Sequence, residues 1–184
     1  MIYVLLATGF EDIEALAPVD IMRRAGLPVE TVSTTGAEIV ESAHAVGIKA
    51  DKLLADIDFS KADMMVLPGG LPGSTNLDVC TPLTKAITAH YAAGKPIAAI
   101  CAAPLVFGHL GILKGKKATC YPGVESELAG ATYTAAIVEQ DNNIITGKGP
   151  AAAFEFGYMI VDYFKGAGAS NALRQGMIYQ ELVG

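Results

Sequence analysis

Histidine is scarce in this chain. His44, His90 and His109 are the only three, and none follows position 109. A cysteine amidotransferase of the Cys-His-Glu kind takes its base from a histidine late in the chain, and a cysteine peptidase dyad wants one beside its nucleophile, so both readings are weakened. Lys and Arg form no cluster and the net charge is −6, which leaves no electrostatic footprint for a phosphate backbone and argues against direct nucleic-acid binding. No run approaches the ~20 apolar residues of a membrane span. Cys80, Cys101 and Cys120 are odd in number, widely spaced and free of any CxxC pattern. That spacing argues against a disulfide framework and against a zinc or other metal site, so the three read as free thiols.

Apolar residues, by contrast, are abundant. They make up 52% of the chain, more than a small soluble surface needs, and without a membrane span the excess must be buried in another way. A parallel sheet covered on both faces absorbs continuous apolar strands, and a subunit interface hides more, which predicts a homodimer. At 184 residues the chain is expected to form a single domain over 1–184. Met1 leads directly into an apolar strand without a basic, leader-like segment, and the expectation that follows is a cytoplasmic protein.

The pattern alternates. Apolar runs at 2–7, 64–67 and 97–100 and the segment 29–33 read as strands, and helical spacing marks 11–25, 83–93 and 104–110 as helices. The helix over 11–25 has acids early and arginines late, as a helix dipole favours, with Pro18 expected to kink it or remove one bond. Two short strands are expected near 38–40 and 46–49, a further one at 117–119, and a hairpin of 136–139 and 143–146 joined by Asp141-Asn142, followed by two closing helices. Such alternation predicts an α/β fold: a flavodoxin-like three-layer sandwich, with a mostly parallel sheet between helices on both faces.

The chemistry gathers around Pro96-Ile-Ala-Ala-Ile-Cys101-Ala-Ala-Pro104. A strand here runs into a cysteine and then into a helix start, and the apex of such a turn tends to be strained and to push its side chain above the sheet edge. Buried cysteines also simply fill space. In a parallel sheet, however, the carboxyl ends of the strands share one edge, and Gly9 to Glu14, Gly69-Gly70 and Cys101 all fall there. Cys101 is therefore the candidate nucleophile. Gly69 and Gly70 permit close backbone approach, so the Gly70 and Ala102 amides are candidate oxyanion donors, although a plain tight turn would use the same glycines. Glu14, in the first turn of the first helix, is a dipole partner or, beside a thiol, the holder of a shared proton and a candidate acid/base. The helix start after Cys101 is expected to favour its thiolate. His90 and His109 lie in helical stretches and read as ordinary histidines, whereas His44 is a candidate to approach the crevice.

Gly9-Phe-Glu-Asp-Ile-Glu14, Val19-Asp-Ile-Met-Arg-Arg-Ala-Gly26, Val66-Leu-Pro-Gly-Gly70, Ile97-Ala-Ala-Ile-Cys-Ala-Ala-Pro104 and Thr146-Gly-Lys-Gly-Pro-Ala-Ala-Ala-Phe-Glu-Phe-Gly157 stand in register along nearly the whole chain. Together they resemble the ThiJ/PfpI superfamily, of class I glutamine amidotransferase-like fold, and within it the branch that includes the human parkinsonism-associated deglycase. The resemblance implies a flavodoxin-like dimer, an oxidation-prone Cys101 hydrogen-bonded by Glu14, and backbone donors at Gly70 and Ala102. It also implies cofactor-free chemistry on small carbonyl substrates, as glyoxalase or deglycase, or a chaperone or oxidative-stress role. Two positions depart from that branch: Tyr121 matches a histidine near the cysteine, and His44 matches an arginine. Tyr121 donates hydrogen bonds but is a poor base near neutral pH. The leading expectation is a hemithioacetal on Cys101 with Glu14 moving protons, and the rival is a redox-responsive, chaperone-like protein that senses oxidation at Cys101.

Overall fold

A computed structural model describes residues 1–183. The chain opens with strand β1 (Ile2–Leu6), every residue of which is buried. Glu11 then caps helix α1 (Asp12–Arg24), its carboxylate accepting the Glu14 amide at 2.8 Å. Pro18 sits inside α1 without ending it; having no N–H, it leaves the Glu14 carbonyl without its helical partner. Strand β2 (Val29–Ser33) follows, then an antiparallel hairpin of β3 (Ile39–Glu41) and β4 (Gly47–Lys49) and a two-residue strand β5 (Lys52–Leu53).

Strand β6 (Met64–Leu67) leads through the glycine loop into α2 (Gly73–Asp78) and α3 (Thr81–Ala92). Strand β7 (Ile97–Ile100) carries Cys101 and then α4 (Pro104–His109). The last third contains β8 (Lys117–Ala118), β9 (Thr132–Tyr133), β10 (Val138–Asp141) and β11 (Ile144–Gly147), then α5 (Ala153–Lys165), α6 (Asn171–Gly176) and α7 (Tyr179–Val183).

The main sheet runs β10-β11-β7-β6-β1-β2-β5 and is parallel apart from β10. From β1 the chain steps to β2 on one side, whereas from β6 it steps to β7 on the other. Right-handed crossovers therefore send α1 to one face and α2 and α3 to the opposite one. α5 packs on α1, and α4 packs on α2, so each face carries a helical layer. The fold is thus the expected flavodoxin-like α/β sandwich. Burying Ile21 and Met22 of α1 completely, with Phe156, Ile160 and Val161 of α5, contributes about 1.5–3 kcal/mol per side chain to that interface.

Four expectations need correction. The turn between β10 and β11 is Asn142-Asn143, one residue later than Asp141-Asn142, because Asp141 still pairs with Ile144 and Asn142 takes the left-handed φ of 55° that such turns require. The loop after β6 ends in a helix, α2, which is too short to show periodicity in the sequence. Three helices rather than two close the described chain. Edge strand β5 escaped notice because it spans only two residues, one of them exposed.

Candidate functional site

β1 and β6 lie side by side and parallel, and the chain leaves them toward opposite edges of the sheet, which opens a crevice at their carboxyl ends, where ligands bind in sheets of this kind. Three connections enter it. The one after β1 brings Glu11 and Glu14, the one after β6 brings Gly69 and Gly70, and the one after β7 brings Cys101 and Ala102.

Cys101 has φ of 65°, a conformation that side-chain-bearing residues rarely adopt. The surrounding backbone holds it there: its N–H donates to the Gly147 carbonyl at 2.9 Å, its carbonyl accepts the Tyr121 N–H at 2.8 Å, and Ala103 N–H returns to Ile100 at 3.1 Å. The strained apex expected from the sequence is present. The residue is only 8% exposed, and the Gly70 and Ala102 amides both face its sulfur. Gly70 reaches that position with φ of 89°, packed so closely that a Cβ would lie 2.5 Å from the Glu11 nitrogen.

Glu14 is fully buried and turns toward the Cys101 thiol and the Gly69 amide. Neither carboxyl oxygen reaches a partner at full hydrogen-bond geometry. Burial, and secondarily the nearby Glu11 carboxylate, push its pKa up to about 7, against the pull of the thiol and the Gly69 amide. The pKa of the thiol is not lowered as expected of a helix start. α4 begins three residues further on and is six residues long, and burial raises the Cys101 pKa, as do the charge of Glu14 and the hydrogen bond to it; the Gly70 and Ala102 amides oppose them. Both contributions from Glu14 disappear when its carboxyl is protonated. The two groups therefore titrate as one pair, in which a proton on Glu14 leaves the sulfur facing two amide donors.

The remaining candidates lie around this pair. Tyr121 is 48% exposed and lines an apolar cavity of ≈ 240 Å³ beside the elbow with Pro122, Ile137, Lys148 and Gly149. His44 stands at the crevice rim, but its Nδ1 is 2.6 Å from Asp12 Oδ2 and its ring is exposed. The contact raises the His44 pKa, and the Asp12 pKa is lowered, against its burial, by the Ser42 hydroxyl first and then by His44. His90 is buried with Nε2 3.0 Å from the Pro96 carbonyl, and burial lowers its pKa. His109 faces Asp78 and Glu127. Each histidine is thus engaged away from Cys101. Sequence reasoning missed Glu11 and Asp12, although an acid just ahead of an amphipathic helix is a capping signal. Glu11, Asp12 and His44 offer ligand atoms within 4.8 Å of one another, but the close His44–Asp12 pair accounts for that grouping.

Residues 1–163 match the family model described as the DJ-1/PfpI family. The chain belongs to the DJ-1/PfpI family. It is 42% identical over 163 residues to the Arabidopsis thaliana protein DJ-1 homolog B, a match covering 88% of this chain and 37% of that one. The chain thus spans well under half of that relative's length. A Caenorhabditis elegans member named glutathione-independent glyoxalase is 32% identical over 165 residues, covering 89% of this chain and 87% of that protein. Among solved structures, the oxidized DJ-1 of Toxoplasma gondii superposes with a TM-score of 0.92 at 32% identity, covering 96% of this chain and 97% of the other. Among the described residues, no helix is long and apolar enough to cross a membrane.

Proposed function

We propose that this protein is a cofactor-free, cysteine-dependent enzyme for small carbonyl compounds, of glyoxalase or deglycase type, acting on methylglyoxal or early glycation adducts. One observation carries the reading: a strained Cys101 whose sulfur meets two backbone amides on one side and an uncommitted, fully buried carboxyl on the other. An acid without a fixed partner, with its pKa near the working pH, suits proton transfer.

The Cys101 thiolate adds to the aldehyde carbon of methylglyoxal, and the carbonyl electron pair moves to oxygen, where the Gly70 and Ala102 amides stabilise it. Protonation of that oxygen by Glu14 gives the hemithioacetal. Glu14, now a carboxylate, removes the proton from the same carbon to give an enediolate; the hydroxyl proton passes to the neighbouring oxygen and Glu14 returns its proton to the neighbouring carbon, producing a lactoyl thioester. Water then cleaves the C–S bond, releasing lactate and the thiol, so that methylglyoxal and one water become lactate and a proton. Residues 1–184 act in this reading as one domain. A second copy covers Ile13, Ile39 and Val46, which are exposed on α1 and the β3–β4 hairpin where Asp12 meets His44.

The same constellation supports a second reading. A carboxyl against a sulfur also suits a sulfinate, formed from the Cys101 thiolate and two equivalents of peroxide with release of two waters. Incubating wild type, Cys101→Ser and Glu14→Gln with methylglyoxal and measuring lactate separates the two. Lactate from wild type alone supports the enzyme. Its absence from wild type, with peroxide selectively oxidising Cys101 over Cys80 and Cys120, overturns it in favour of redox sensing.

A further inference from the structure

The loops that carry Gly70, Cys101 and Tyr121 leave the site in different directions, yet their continuations converge on one side chain. α2 starts three residues after Gly70 and ends at Asp78. α4 starts three residues after Cys101 and ends at His109. The segment after Tyr121 runs into a 3₁₀ turn at Glu125–Glu127. His109 Nδ1 lies 2.9 Å from Asp78 Oδ2, and its Nε2 lies 2.9 Å from Glu127 Oε2. Gly108 lets the turn settle directly on α4, since a Cβ there would strike the Glu127 carbonyl oxygen.

Carboxylates only accept hydrogen bonds, so a ring that satisfies both must donate from both nitrogens, and only the imidazolium does so. We infer that His109 is a positioning residue, whose charged ring ties together the far ends of the three segments that build the Cys101 site. A neutral ring has one donor and turns a lone pair toward one of the two carboxylates. Either α2 or the 125–127 turn is then released. The inference rests on the reading of Cys101 as the reacting thiol.

The sign follows from the surroundings. Hydrogen bonds to Glu127 and then Asp78, with both their charges, raise the His109 pKa, and partial burial opposes them only in part. Of the other charges on neighbouring elements, Glu125 accepts the Gly123 N–H at 2.8 Å, and Lys85 of α3 lines a groove shared with Leu110. The tie is therefore fully present below the ordinary histidine pKa and is lost as pH rises through the elevated one.

Hydrogen exchange from pH 6 to 9.5, corrected for intrinsic rates, tests this, with the His109 ring followed by ¹⁵N NMR. In wild type, protection in 71–79 or 121–128 should fall about tenfold as the ring titrates, while 153–165 stays constant. His109→Gln should show the loosened level throughout without a step, and His109→Arg, a permanent cation, should stay protected at high pH. At pH 6.5, iodoacetamide labelling of Cys101 relative to Cys80 should change at least about threefold in His109→Gln and return in His109→Arg. A step that survives in His109→Gln, no step in wild type while the ring titrates, or unchanged Cys101 labelling overturns the inference. These readouts need no turnover, so failure of the methylglyoxal assay alone overturns the carbonyl reading and leaves the tie standing.

Discussion

Glu14 and Cys101 face each other across a gap that Gly69 alone keeps open. A methyl group on Gly69 would collide with Glu14 Oε2, lie 2.6 Å from the Cys101 Cβ and lie 2.8 Å from the Ile100 carbonyl oxygen. Because two of these atoms belong to rigid backbone or its first side-chain atom, little can yield.

Gly69→Ala should therefore destabilise the fold by about 1–3 kcal/mol, as overpacking does, and lower lactate formation by at least about a hundredfold. Gly176→Ala is the control. Its added Cβ meets nothing within 4 Å at the end of α6, so melting should stay level or rise by about 0.5–1 kcal/mol equivalent. Thermal denaturation and turnover, measured side by side, check both.

The Glu14 carboxyl makes stability depend on pH. Its folded pKa of about 7 is above the ordinary glutamate value of 4.5, so the folded state binds this proton more tightly. The contribution is fully present below the unfolded value and is lost as pH rises through about 7. Glu14→Gln, which keeps the shape of the neutral acid, should flatten that slope. Urea unfolding at pH 5 and pH 8.5 should show the variant gaining on the wild type at the higher pH by on the order of 2–3 kcal/mol.

Gly157 gives α5 its close approach to α1. A Cβ there would lie 2.9 Å from Ile21 Cδ1 and 3.1 Å from Pro18 Cα, one turn beyond Glu14. Gly157→Val should push the helices apart at a cost of about 1–3 kcal/mol and displace Glu14. The expected signature is a lower melting temperature together with a changed alkaline or acid limb in the pH profile of turnover.

Tyr121 donates its backbone N–H to Cys101 whatever its side chain, so that position tolerates substitution without loss of the elbow. Tyr121→His should leave melting within about 0.5 kcal/mol equivalent and raise lactate formation near pH 7 several-fold, because imidazole relays protons there and a phenol does not. Steady-state kinetics and calorimetry on the two proteins decide it.

The buried strands at 2–6, 64–67 and 97–100 were legible because a strand covered on both faces must be apolar throughout, and their carboxyl ends place Glu14, Gly70 and Cys101 on one edge. What stayed hidden depends on contacts made over long distances. Helix α2 and strand β5 are too short to carry a period. The protonation of Cys101 depends on how deeply it and Glu14 are buried, which no local spacing records. His109 read as an ordinary helical histidine because its two carboxylates lie 31 residues before it and 18 after it.

The two groups facing the Cys101 sulfur from Gly70 and Ala102 are main-chain amides, and no codon change short of proline removes an amide. Point mutation can therefore reach the rim, at Tyr121 or His44, far more easily than the cradle. In a chain built this way most single substitutions act on the side chains around the sulfur and leave its two main-chain donors in place.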